Sequence, residues 1–144
     1  METYTINKTL LVNAKPYTVF KALTDSEQIV QYYPLQKVVS DWQLGSEVHY
    51  HGEVNEQPFT DYGVIEAIKP PIEYRYRYWS DNHGTERLPE NHLVISYRLE
   101  AQDGSTLIHL EQSNIQSKEM YNLMDESVWS FLLGSLKAYV EAKS

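Results

Sequence analysis

The stretch from Ser117 to Ser144 has the periodicity of one long helix, and its apolar surface is too broad for a helix that merely flanks a sheet. At about 100° per residue, Trp129, Leu133, Leu136 and Val140 fall on one side. Tyr121, Val128, Leu132 and Tyr139 continue that surface, and Met124, Phe131 and Ala138 widen it. The polar arc left over is narrow, with Glu119, Glu126, Ser130, Lys137 and Glu141. A flanking helix needs an apolar stripe only about 100° wide, so this one must be gripped from several directions. A curved sheet closing around a terminal helix is the expectation, and such a grip tends to leave a hollow.

The preceding residues supply the sheet. Thr3 to Asn13 reads as a strand, and Pro16 opens a short helix that runs to about Leu23. A second helix, with Ser26 as its N-cap, ends near Tyr32 before Pro34. Val38 to Trp42 is a short extended piece, Glu47 to Val54 a strand, Asn55 to Pro58 a hairpin loop and Phe59 to Ile68 a further strand. From Glu73 to Trp79 the alternation is strict: Tyr74, Tyr76 and Tyr78 face one way, Arg75, Arg77 and Trp79 the other. Ser80 to Asn91 reads as a polar loop. Leu93, Ile95, Tyr97 and Leu99 then alternate with polar neighbours, and Asp103-Gly104 is a strong hairpin signal. Thr106, Ile108, Leu110 and Gln112 answer on the returning strand. The expected architecture is one α+β domain over residues 1–144. It has an antiparallel sheet of about six strands, two short helices after the first strand, and the long helix last.

Composition narrows the function. A formal net charge of −8 and the lack of any concentrated basic run argue against nucleic acid. There is no cysteine, which excludes disulfides, thiolate nucleophiles and Cys-ligated zinc. Met1-Glu2-Thr3-Tyr4 has neither a basic nor an apolar leader region, and no apolar run approaches the ~18 residues of a membrane span. A cytoplasmic chain is the expectation, as monomer or homodimer. Twelve tyrosines stand against three tryptophans and three phenylalanines. A large ring with a hydroxyl at its tip suits the wall of a semi-polar cavity, and it equally suits an edge strand.

Several segments, taken in order, resemble a known family. They are Ala14-Lys15-Pro16 with Val19-Phe20-Lys21-Ala22-Leu23-Thr24-Asp25, Asp41-Trp42-Gln43-Leu44-Gly45-Ser46, Asp61-Tyr62-Gly63-Val64-Ile65-Glu66-Ala67-Ile68-Lys69-Pro70-Pro71, Ile95-Ser96-Tyr97-Arg98-Leu99 with Gly104-Ser105-Thr106, and Trp129 with Leu133 and Leu136. Together they resemble the SRPBCC (START-like) superfamily, and within it the homologues of the activator of the 90-kDa heat-shock chaperone's ATPase. The resemblance covers essentially the whole chain. It implies a helix-grip fold with a deep cavity between sheet and terminal helix. It also implies hydrophobic ligands such as lipids, sterols, polyketides or flavonoid-like molecules, with cyclisation chemistry in some members. Some members carry two tryptophans where this chain has Gln31-Tyr32-Tyr33-Pro34, which reshapes the entrance.

On this reading the ligand-binding candidates are Tyr32 at the entrance, Tyr74, Tyr76, Tyr78, Tyr97, Ile108, Leu110 and Gln112 from the sheet, and Tyr121, Met124, Asp125, Val128 and Leu132 from the helix. Ser135 follows on the same arc. This is the mostly apolar lining, with a few polar groups, of a small-molecule pocket. The alternative is a filled core whose hydroxyls find solvent or backbone partners. Asp125 within the apolar arc is either a polar anchor for a ligand or a solvated residue near the helix start. His49-x-His51-x-Glu53 shares one strand face as a conceivable metal site, yet Val48, Tyr50 and Val54 make the better core face, which turns the histidines to water. His83, His92 and His109 are scattered. No Gly-x-Ser-x-Gly elbow and no glycine-rich phosphate loop is present, and no cofactor is implied.

The leading expectation is a protein without clear catalytic machinery that binds a small hydrophobic, aromatic or lipid-like ligand. The alternatives are a chaperone-associated module docking through Arg75, Arg77 and Trp79, and an enzyme of cyclase or hydrolase type.

Overall fold

The computed structural model describes residues 3–80, 86 and 88–143; part of the loop read over Ser80 to Asn91, with His83, lies outside them. The elements follow in the order β1 (Tyr4–Val12), α1 (Pro16–Leu23), α2 (Ser26–Tyr32), β2 (Lys37–Ser40), β3 (Glu47–Val54), β4 (Gln57–Lys69), β5 (Glu73–Ser80), β6 (Leu93–Gln102), β7 (Ser105–Ile115), α3 (Lys118–Leu123) and α4 (Trp129–Lys143). A single π-helical turn, Met124–Val128, joins α3 to α4.

The strands form one antiparallel sheet in the order β1-β7-β6-β5-β4-β3-β2. It has seven strands, against the expected six or so, because Val38 and Val39 do more than extend the chain. Val38 is buried, and the Lys37–Ser40 backbone pairs with Val48 to His51 of β3. β1 and β2 are thus the two edges, and α1 and α2 carry the chain from one edge to the other. Both helices touch α4, and α1 also touches β5, β6 and β7, so all three helices share one face of the sheet.

Local chemistry explains the turns and caps. Asn55 and Glu56 both take positive φ, 52° and 66°, and close a two-residue hairpin turn; the strand resumes at Gln57, inside the expected four-residue loop. Asp103-Gly104 closes the β6–β7 hairpin at φ 48° and 88°, as that dipeptide predicts. The N-cap of α2 is Asp25, not Ser26: its Oδ1 accepts the Glu27 amide at 3.0 Å. Ser26 Oγ instead accepts the Trp42 indole N–H at 3.0 Å, tying the segment after β2 to α2.

The terminal helix departs from the expected single rod. The π turn inserts an extra residue into the helical repeat, so α3 and α4 present differently phased faces. On α4 the expected side is the buried one: Trp129, Leu133, Leu136 and Val140 are all at most 6% exposed. Leu132 and Tyr139 are half-buried, whereas Phe131 is 57% exposed and Ala138 also faces outward. The gripped arc is therefore narrower than the apolar arc. The sheet holds one side, α1 and α2 brace a second, and the third stays open.

Two substitutions on α4 separate these sides. Leu136→Ala empties a fully buried site and should lower the unfolding free energy by about 2–5 kcal/mol. Phe131→Ser, on the open side, should change it by no more than about 0.5 kcal/mol. Urea denaturation of both variants checks the contrast, and equal losses would show that the whole circumference is gripped.

Candidate functional site

Between the inner face of β3–β6 and the π turn lies an open hollow of about 210 Å³. Period-two alternation aims its strand side chains inward: Tyr50 on β3, Phe59 and Asp61 on β4, Tyr76 and Tyr78 on β5, Ile95 and Tyr97 on β6. Tyr33, Pro34 and Leu35, just after α2, form the rim on one side. Met124, Val128, Trp129 and Leu132 close the other.

Two glycines on the inner face make room for the aromatic wall. A Cβ on Gly52 would sit 2.4 Å from the Phe59 ring, and one on Gly63 would sit 3.1 Å from Tyr76 and 3.3 Å from the Arg77 carbonyl oxygen. Phe59 and Tyr76 can lie against the sheet because those positions carry no side chain. Trp129 is seated by a 2.6 Å hydrogen bond from its indole N–H to Gln112 Oε1, both residues being buried. Its ring meets Tyr97 edge-on at 6.1 Å.

Asp61 is the carboxylate of the wall, 9% exposed, and it accepts a hydrogen bond from the Tyr78 hydroxyl. Beside the hollow is a smaller void of about 20 Å³ lined by Leu23, Ile29, Tyr32, Tyr33, Tyr50, Tyr74, Tyr76 and Tyr97. Tyr33 and Tyr97 meet hydroxyl to hydroxyl at 3.4 Å, and the Tyr32 hydroxyl donates to the Ala22 carbonyl at 2.6 Å. The Tyr74 ring stacks between Tyr76 and Tyr97, at 5.0 Å and 6.3 Å.

The expected site residues divide into three groups. Tyr76, Tyr78, Tyr97, Met124, Val128 and Leu132 line the hollow. Tyr32 and Tyr74 line the inner void. The rest sit elsewhere. Ile108 and Leu110 are packed into the core under α4, and Gln112 is spent on Trp129 from behind. Tyr121 packs on Tyr4 at 5.8 Å, and Ser135 is half-buried away from the opening. Asp125 is neither in the hollow nor simply solvated: it pairs with Lys8 Nζ of β1 at 3.2 Å, with its side chain 35% exposed. The π turn explains this, since it swings Asp125 toward β1 while Met124 and Val128 turn to the hollow.

Sequence reasoning missed Tyr33, Pro34, Leu35, Tyr50, Phe59, Asp61, Ile95 and Trp129 as wall residues. The alternation of β3 and β4 would have turned Tyr50, Phe59 and Asp61 to one face. Which end of that face stays uncovered is not encoded in the alternation.

The other singled-out groups lie on the outer face or at exposed ends. His49 contacts Glu47 at 3.3 Å, His51 contacts Thr60 at 3.2 Å, and Glu53 accepts from Gln36 at 2.9 Å. Among the described residues no three His, Asp or Glu side chains are grouped to hold a metal ion. His109 pairs with Glu100 at 3.0 Å, and His92 contacts the Leu88 carbonyl at 2.7 Å. Arg77 reaches Glu66 at 2.5 Å, Arg75 reaches Glu73 at 3.0 Å, and Trp79 is buried beside Tyr62. No helix among the described residues is long and apolar enough to cross a membrane.

Burial pushes the phenols of Tyr32, Tyr50, Tyr74, Tyr76, Tyr78 and Tyr97 well above their ordinary value, and that of Tyr33 up to about 12. These hydroxyls are therefore neutral at physiological pH. A phenol that holds its proton more tightly folded than unfolded contributes stability in full below the unfolded value of about 10. That contribution is lost as pH rises from there through the folded value. The midpoint of thermal unfolding should fall steeply above about pH 10, with the interior phenols ionising only as the fold is lost. Melting curves followed by phenolate absorbance test this. Interior tyrosines that titrate near pH ~10 in the folded protein would contradict it.

The family model described as Activator of Hsp90 ATPase homolog 1-like protein matches residues 13–141. Among solved structures, the solution structure of ChR145 from Cytophaga hutchinsonii is 28% identical, covers 99% of this chain and 98% of that one, and superposes with a TM-score of 0.84. The Aha1 dimer from Colwellia psychrerythraea is 18% identical over 96% of each chain, with a TM-score of 0.75. CalU16 from Micromonospora echinospora is 19% identical, covering 98% of this chain and 78% of that one, also at 0.75. No curated protein matches the chain by sequence. A family match over nearly the whole length and neighbours that share the fold agree, and the chain belongs to the Activator of Hsp90 ATPase homolog 1-like family.

Proposed function

We propose that this protein binds a small hydrophobic ligand with an aromatic ring in the hollow beneath the π turn. The observation that carries the reading is the hollow itself. It is a space of about 210 Å³ walled by Tyr33, Tyr50, Phe59, Tyr76, Tyr78, Tyr97 and Trp129, with Asp61 as a polar point on the wall. Mostly apolar concavity with few polar groups is the usual composition of a ligand site. The volume is below the roughly 300–1,000 Å³ of sites for drug-sized molecules. It exceeds the ~150 Å³ that accommodates benzene in an apolar cavity. A one-ring molecule is therefore favoured over a long acyl chain.

The expected affinity is modest. Burying about 150–250 Å² of a single ring at ~25 cal/mol per Å² yields roughly 4–6 kcal/mol before ordering costs. That corresponds to dissociation constants from about millimolar to tens of micromolar, weakened further by those costs.

The chaperone-associated reading draws support from the family, but its candidate surface offers less. Arg75 and Arg77 are occupied by Glu66 and Glu73, and Trp79 is covered. An enzymatic reading needs a positioned acid and base. Among the described wall residues only Asp61 is a candidate beside the phenols.

Titration of isotopically labelled protein with indole, followed by amide NMR shifts, tests the binding reading. Shifts should concentrate on β5, β6 and the π turn. Val128→Phe, which fills the hollow, should weaken indole at least about tenfold while leaving the melting temperature within a few degrees. A silent spectrum up to the solubility limit of indole, or binding untouched by Val128→Phe, would remove the reading.

A further inference from the structure

Tyr74 stands out among the interior phenols. It is 2% exposed, and its hydroxyl has no hydrogen-bond partner; the neighbouring Tyr50 hydroxyl falls short of bonding geometry with it. A phenol left unpaired in the interior costs stability that phenylalanine at the same place would not. With only the Tyr50 hydroxyl beside it, and not at bonding geometry, the Tyr74 hydroxyl is open to a better-placed partner entering from outside the chain.

The inner void bounded by Tyr74 is the place such a partner would occupy. At about 20 Å³ it exceeds the ~10–15 Å³ needed to hold one water-sized group, yet it is far too small for a ring. It shares Tyr33, Tyr50, Tyr76 and Tyr97 with the larger hollow as a common wall. The weakest link in that wall is the Tyr33–Tyr97 hydroxyl contact, 3.4 Å long, beyond the usual 2.5–3.0 Å between hydroxyl oxygens. Tyr33 is also half-buried on the segment that leaves α2. A small shift of its ring joins the two spaces.

We infer that the void is the polar end of the ligand site. The ring of the ligand fills the outer hollow, and a terminal hydroxyl passes between the tyrosines to hydrogen-bond Tyr74 Oη. This rests on the binding reading above and adds the ligand's chemical class: a neutral phenol or alcohol rather than a hydrocarbon or a carboxylate. A carboxylate is refused because its charge would have to be buried among neutral phenols. Among the described residues, moreover, the charged group on the hollow's wall is itself an anion, Asp61.

Three molecules of nearly equal shape decide the matter: toluene, p-cresol and p-toluate, each titrated by NMR into the full chain. The wild type should bind p-cresol about tenfold more tightly than toluene, roughly the discrimination one added neutral hydrogen bond supplies, and p-toluate least. Tyr74→Phe should erase the p-cresol advantage while leaving toluene unchanged, and should melt no lower than the wild type. Toluene binding as well as p-cresol to the wild type, or a p-cresol advantage that survives Tyr74→Phe, would overturn the inference and leave the hydrophobic site standing. If none of the three binds, the site itself falls, and the inference with it. The wild-type comparison stands even if the variant folds poorly.

Discussion

Trp129 against the inner face of the sheet is the contact on which the arrangement turns. Its indole N–H is bonded to Gln112 Oε1 in a region from which water is excluded, and its ring lies edge-on to Tyr97. A directional bond between two buried groups fixes both the rotation and the height of α4 over β6 and β7, which apolar contact alone would leave free to slide. Leu133, Leu136 and Val140 then follow into the core at helical spacing. The bond is bought with an unpaired Gln112 Nε2, one of the buried polar atoms without a partner. That expense is understandable if register, more than stability, is what the glutamine supplies.

With α4 pinned, the π turn decides the rest. Five residues of wider helix bring Met124 and Val128 over the tyrosine wall and release Asp125 toward Lys8. A continuous α-helix through this stretch would keep Tyr121, Asp125 and Trp129 nearly in line, with the carboxylate directed at the aromatic surface. The extra residue removes a charge from the wall and replaces it with a methionine and a valine. π turns recur where a helix is bent to a functional purpose, and here the turn forms the roof of the hollow.

The tyrosine bank on β5 adds a second constraint. Three rings at alternate positions of one strand must stack on neighbours across the sheet, and Gly52 and Gly63 supply the missing volume. Their hydroxyls cannot all be satisfied by backbone, because the sheet has already used its donors and acceptors in the ladder. Tyr78 answers Asp61, Tyr33 meets Tyr97, Tyr32 reaches the Ala22 carbonyl off the ladder, and Tyr74 has no partner at bonding geometry. This is why the interior is semi-polar without being wet by design, and why its two spaces meet at a wall of tyrosines.

Much of this was legible along the chain. Alternation from Glu73 onward identified the inward faces of β5, β6 and β7 correctly, the buried stripe of α4 was read residue by residue, and Asp103-Gly104 marked its hairpin. These follow from local rules: period two for strands, 3.6 for helices, and the tolerance of glycine for positive φ. The outcomes that needed the folded molecule were those in which residues distant in sequence compete for one place. Whether Lys8 would reach Asp125, whether Gln112 would face a ligand or Trp129, and which end of the concave sheet the helices would leave uncovered all depend on that competition. Periodicity tells a side chain which way to point, but only the packed tertiary structure determines what it meets there.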